Sequence, residues 1–268
     1  MRFRGVLAFL SRLPGPSLTP EELAGTAAWF PVAGIVTGLL LGLLGSAFLV
    51  LLPRLWAAVA FLVGYFVVKG ALHTDGLSDF ADSLMAGGGT ERRQAILRDP
   101  HVGVGGLIAV VLFLVTVGIV VGGGPFSLPP IVRPGLGFLF EFRRWKVALE
   151  TFLPFMVGVE VSANMAMVIA GHVGRPDAGS RIARAFVARK DLGGVLLAAA
   201  ITLVVTMAAW GILVALIVPW LWVSAWVASV ANRKLGGVGG DALGAAHEIT
   251  FAVALFFVAL LPLRPLGW

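Results

Sequence analysis

Long apolar stretches alternate with short polar clusters along this chain, and the alternation predicts helices that cross a membrane. A glycine-rich apolar stretch over residues 23–52, interrupted by Pro31, is long enough to span a bilayer with some tilt. Further spans are predicted over residues 55–72, 104–121, 146–170, 193–218, 220–231 and 249–263. About seven transmembrane helices therefore make an all-α, polytopic integral membrane bundle, with interfacial helices on its cytoplasmic side. No period of about 20 to 50 residues repeats, and no separate soluble domain stands out, so residues 1–268 are expected to form a single membrane-embedded catalytic domain.

The flanks refine this picture. Arg2, Arg4 and Arg12 surround a short apolar run over residues 6–10, which lacks the longer core and small-residue cleavage site of a signal peptide. It is expected as an interfacial helix ended by Pro14 and Pro16. Gly34, Gly38, Gly42 and Gly45 recur at the spacing that lets a second helix approach closely, and such faces also allow a homo-oligomer. Lys69 is expected to snorkel toward water, and Thr90 to cap a short polar helix over residues 90–98. The span at 146–170 carries Glu150, Pro154, Glu160 and Asn164, so it is expected to line the site. Residues 135–145 read as an interfacial or re-entrant segment. Trp210, Trp220, Trp222 and Trp226 suit an aromatic belt.

Charge sets the orientation. Arg175, Arg181, Arg184, Arg189 and Lys190 form the densest basic loop, which belongs inside by the positive-inside rule. Counting from an inside N-terminus puts both major polar clusters at the cytoplasmic face of the cell membrane, while Arg133, Arg143, Arg144 and Lys146 fall outside, against the same rule. Composition agrees with a lipid setting: 59% of residues are hydrophobic and 13% charged, against about 25% charged in soluble domains. The surplus of six positive charges suits anionic headgroups or phosphate-bearing ligands. Scattered among loops, these basic residues form no stripe, so no nucleic acid is expected as a partner. With no cysteine there is neither a disulfide framework nor a thiolate metal site.

The first polar cluster carries candidate chemistry. Asp75, Asp79 and Asp82 are four and then three residues apart, which at roughly 100° per residue places them within about 60° on one helix face. A solvated face would explain the spacing alone. In a membrane protein, like charges so close call for a cation, and hard oxygen donors suit Mg²⁺ or Mn²⁺ that shares its shell with water and a phosphorylated substrate. The second cluster has Asp241 and Glu248 seven residues apart, on one face of a helix starting near Asp241. Ahead of it Gly236, Gly237, Gly239 and Gly240 read either as a plain turn or as a loop whose backbone wraps an anion. Arg92, Arg93, Arg98, Asn232, Arg233 and Lys234 lie near the two clusters in sequence. Together these are the components of a divalent-metal and diphosphate site. Of the four histidines no two stand at a zinc-ligand spacing. His73 is retained as a base or orienting group.

The motif H-T-D-G-L-S-D-F-A-D at residues 73–82, R-R-Q-A-I-L-R-D at 92–99 and L-G-G-V-G-G-D-A-L-G-A-A-H-E at 235–248 resemble the paired signatures of the cobalamin-5′-phosphate synthase family, the adenosylcobinamide-GDP ribazoletransferases. F-L-S-R-L-P at 9–14 is similar to that family's opening. The resemblance implies a multi-pass enzyme of cobalamin nucleotide-loop assembly with Mg²⁺ as cofactor. Its substrates would be adenosylcobinamide-GDP and α-ribazole or its 5′-phosphate, with GMP released. On this reading Asp75, Asp79, Asp82 and Asp241 hold the metal. Asp82, His73 and Glu248 are the candidates for proton transfer. Arg92, Arg93, Arg98 and Lys234 meet phosphate, and Gly237, Gly239 and Gly240 let the backbone approach it. Two other readings compete. A CDP-alcohol phosphotransferase of lipid synthesis also uses membrane aspartates, but Ser78 and Asp79 stand near the places of the Ala-Arg pair in its D-x-x-D-G-x-x-A-R signature. A divalent-cation transporter predicts carboxylates near mid-span, whereas these border arginine-rich loops.

Overall fold

A computed structural model of the chain describes residues 2–123, 142–177, 179, 185–187, 191–211 and 219–260. Among these residues the helices in chain order are α1 (Arg2–Leu10), α2 (Pro20–Leu23), α3 (Trp29–Leu51), α4 (Arg54–Lys69), α5 (Leu72–Met85), α6 (Thr90–Ile96), α7 (Val104–Gly123), α8 (Phe142–Val173), α9 (Leu192–Trp210), α10 (Pro219–Val230) and α11 (Gly240–Leu260). A π-helical turn, Ala231–Leu235, continues α10. The expected re-entrant reading of 135–141, and Arg133, Arg181, Arg184, Arg189 and Lys190, lie outside the described residues.

α8 is the axis of the bundle. Its 32 residues extend about 48 Å at 1.5 Å per residue, and most of its middle and C-terminal half is buried. The four glycines of α3 pack on it as their spacing predicts. A Cβ at Gly38 would stand 2.6 Å from the Val157 Cα, and one at Gly42 2.9 Å from the Leu153 Cα, so any side chain there would push the helices apart. Close packing replaces the hydrophobic driving force that lipid cannot supply.

Among the described residues five helices are long and apolar enough to cross a membrane: α3, α7, α8, α9 and α11. The sixteen-residue α4 and twelve-residue α10 are shorter, so the expected count of seven is not reached among the described residues. α4 and α5 reach that length and hydropathy only when taken together, and they are bent by 97° at Gly70, whose φ of +73° is accessible to glycine. We read α5 as an arm at the membrane boundary, outside the spanning helices.

Several local expectations change. Lys69 does not snorkel: it is 3% exposed, and its ammonium is held 2.9 Å from the Glu160 carboxylate of α8. Gly89, not Thr90, caps α6. Trp210 and Trp220 are each 6% exposed and pack inside the bundle, which leaves Trp222 and Trp226 as the outward-facing tryptophans of the expected belt. The helix expected to start near Asp241 begins at Gly240 and runs on without a break as the last span, whose expected start at residue 249 therefore moves back to 240.

Candidate active site

The two acidic motifs meet where α5 crosses α11. The crossing is unusually close because both helices carry glycine there. A Cβ on Gly76 would lie 3.1 Å from the Cα and carbonyl of Asp241, and one on Gly244 would lie 3.0 Å from the His73 carbonyl. Asp75 and Asp79 are thereby brought within charge–charge range of Asp241. Partial burial, and the neighbouring carboxylates of Asp75, Asp241 and Asp82, raise the Asp79 carboxyl from its ordinary range to about 6. Asp75 is exposed, while Asp79 and Asp241 are half-buried, so the cluster opens toward water.

A fourth carboxylate joins them. Asp177 was not singled out from the sequence, yet it lies within charge–charge range of Asp241. It lines a cavity of about 160 Å³ with Asp241, Gly237, Gly239, Gly240 and Leu97. Its backbone is clamped by a parallel bridge between Pro176 and Val238, in which Val238 N–H donates to the Arg175 carbonyl at 2.7 Å and Asp177 N–H to the Val238 carbonyl at 3.2 Å. Asn232 Oδ1 accepts from Arg175 N–H at 2.8 Å, and Gln94 Nε2 donates to the Leu235 carbonyl at 2.9 Å. The π-helical turn sits at the centre of these contacts, a departure from α-helix that is frequent at functional sites. The only signal in the sequence was a lone aspartate in a strongly basic loop, which by itself reads as charge balance.

The glycines divide by role. Gly237 is packed too tightly for a side chain, since a Cβ would stand 2.7 Å from the Asp177 nitrogen, and its own N–H donates to the Ala231 carbonyl. It holds the loop together and has no N–H left for an anion. Gly240 has open space where a side chain would stand. It begins α11, and a helix start offers N–H groups to phosphate.

Four of the expected site residues do other work. Both oxygens of Asp82 accept backbone N–H groups at the start of α7, from Gly103 at 2.7 Å and Gly106 at 2.8 Å. The carboxylate fastens α7 to α5, and these bonds oppose its use as a base. His73 is buried and its ring stacks on His247 with centroids 4.5 Å apart. It points into the bundle, away from the aspartates, which removes it as a base. Glu248 lies two turns below Asp241 and is buried, accepting from Tyr65 Oη at 2.8 and 2.9 Å and from Thr74 Oγ1 at 3.1 Å. It borders an apolar groove of about 300 Å³ between α5, α7 and α11 instead of the polar cavity. Arg93 donates to the Ser83 and Leu84 carbonyls at 2.6 and 2.8 Å, closing the C-terminus of α5. Arg92, Arg98 and Lys234 are exposed. Of these, the Arg98 guanidinium stands beside Gly179 and the Asp177 carboxylate, at the rim of the cavity.

The donor set fits a hard divalent cation in part. Among the described residues no three His, Asp or Glu side chains are close enough to hold an ion by themselves. Asp241 and Asp177 on the cavity wall, with Asp75 and Asp79 within charge–charge range of Asp241, nevertheless form a strongly anionic mouth. That suits an ion which keeps much of its water and takes its remaining oxygens from a substrate.

The model of the family described as cobalamin-5-phosphate synthase matches residues 2–259. Among curated relatives, the adenosylcobinamide-GDP ribazoletransferase of Methanocella arvoryzae is 32% identical over 94% of this chain and 92% of its own length. That of Brevibacillus brevis is 31% identical over 94% and 95%, and that of Chlorobaculum tepidum 31% over 98% and 96%. No solved structure matches the chain.

Proposed function

The chain belongs to the cobalamin-5-phosphate synthase family, and from that premise we propose that it joins adenosylcobinamide-GDP to α-ribazole, or to α-ribazole 5′-phosphate, with release of GMP. A ribose hydroxyl of the acceptor attacks the phosphorus that carries the corrinoid's aminopropanol arm. The new P–O bond makes a phosphodiester, the bridging P–O bond to the second phosphorus breaks, and GMP leaves with the bridging oxygen. The hydroxyl proton passes to solvent or to a carboxylate at the mouth.

The observation that carries this reading is the meeting of Asp75 and Asp79 with Asp241, which lines, with Asp177, a cavity floored by the start of α11. Mg²⁺ bound there would neutralise charge on the diphosphate oxygens and polarise the phosphorus. Asp75, Asp79 and Asp241 are the residues we assign to it, with Asp177 as a fourth donor or an orienting group. Asp79, half-buried and raised to about 6, is the carboxylate we assign to accept the hydroxyl proton. The first turn of α11 directs N–H groups at phosphate, and Arg98 at the rim suits the leaving nucleotide. Displacement at phosphorus depends mainly on positioning and electrostatics, which this arrangement supplies. We place the mouth at the cytoplasmic face, where nucleotide substrates are found and where the positive-inside rule puts Arg175.

The test is direct. The purified chain in nanodiscs, given adenosylcobinamide-GDP, α-ribazole and Mg²⁺, should release GMP and form the phosphodiester. Turnover of a CDP-linked lipid in place of the corrinoid donor would overturn the reading.

A further inference from the structure

Directly beneath the acidic mouth, α4, α5, α8 and α11 carry a second set of ionisable side chains, and we infer that the buried Lys69–Glu160 pair and the His73–His247 and Thr74–Glu248 contacts position the metal-binding edge above them. Lys69 is the last residue of α4, at the 97° bend into α5. Its Nζ lies 2.9 Å from Glu160 Oε2 of α8 and 3.2 Å from His247 Nε2 of α11. The same Glu160 oxygen accepts from Thr37 of α3 at 2.6 Å and from Asn164 at 3.3 Å. One ion pair thus ties four helices together at the bend.

The first turn of α5 is then fastened to α11 twice. His73 stacks on His247, and Thr74 donates to Glu248, which Tyr65 of α4 holds from the other side. Asp75 is the next residue, and Asp79 lies one turn on. Turning α5 by a single residue, about 100°, would carry both carboxylates away from Asp241. Apolar packing would hold the same helices against each other, but it is non-directional. Hydrogen bonds have angular preferences, so this set fixes how α5 is rotated as well as where it lies. These are positioning residues, since none of them reaches the cavity.

The inference rests on the reading of Asp75, Asp79 and Asp241 as the metal-binding edge. Its test uses Mn²⁺ as probe, with affinity measured by electron paramagnetic resonance on the detergent-solubilised full chain and folding followed by thermal denaturation. The double variant Lys69→Met/Glu160→Met replaces the pair by apolar side chains and should remain folded, with Mn²⁺ bound about 10- to 100-fold more weakly, the effect typical of losing support behind a metal ligand. Thr74→Val removes one hydroxyl at nearly constant volume, and it should weaken Mn²⁺ binding in the same direction by a smaller factor. Wild-type affinity in the folded double variant, or in Thr74→Val should the double variant not fold, overturns the inference. A different result, no Mn²⁺ binding by the wild-type chain, would overturn the reading of the carboxylates themselves and the inference with it.

Discussion

The mouth of the site and the network beneath it share helices α5 and α11, and both are rich in carboxylates, yet they are opposites in how those carboxylates are satisfied. In the buried layer every carboxylate has a protein partner: Glu160 has Lys69, Thr37 and Asn164, and Glu248 has Tyr65 and Thr74. At the mouth, Asp79 and Asp241 have chiefly each other, Asp75 and Asp177 as electrostatic neighbours. A buried charge without a partner is too unfavourable to persist, whereas an anionic cluster facing water can stay open for a ligand. Partnering, rather than residue type or spacing, separates the carboxylates that hold the fold from those available to substrate. Asp82 lies on the predicted stripe but belongs with the first group, because α7 takes both of its oxygens.

The contrast can be broken from either side. The largest effect is expected in the buried layer: Lys69→Met alone strands the Glu160 charge, and chemical denaturation should show a loss of about 3–5 kcal/mol. The Lys69→Met/Glu160→Met pair should recover much of it. Next comes Asp79→Asn at the mouth, which should leave the denaturation midpoint near wild type while lowering kcat/KM for GMP release about 100-fold, or about 2.7 kcal/mol in the barrier. Full activity in that variant would remove Asp79 from the site. Asp82→Ala sharpens the boundary: it should lower stability by about 1–2 kcal/mol through loss of the α7 cap while leaving Mn²⁺ affinity unchanged. The smallest effect belongs to Arg98→Ala on the exposed rim, a rise in donor KM of less than about fivefold with kcat kept.

Which parts of this could be read along the chain follows from the range of the forces involved. The aspartate stripe was legible because helical periodicity is local, and it places Asp75 and Asp79 on one face whatever surrounds them. The α3 glycines announced a close helix contact for a similar reason, although their partner, α8, could not be named. Lys69 was misread because snorkelling is the default for a lysine near a helix end, and Glu160, its partner, is 91 residues away. Glu248 shares a face with Asp241, but face says nothing of depth, and two turns carry it from the mouth into the core. Asp177 gave no usable signal, since its place depends on a bridge to Val238.

The sequence by itself determined an all-helical membrane protein, its two acidic motifs and, through those motifs, its family, because apolar length and helical spacing are properties of neighbouring residues. Only the tertiary structure decided which charges are paired and which face the cavity. Pairing is set by contacts between distant segments: the glycine crossing of Gly76 with Gly244, the bend at Gly70, and the bridge that delivers Asp177.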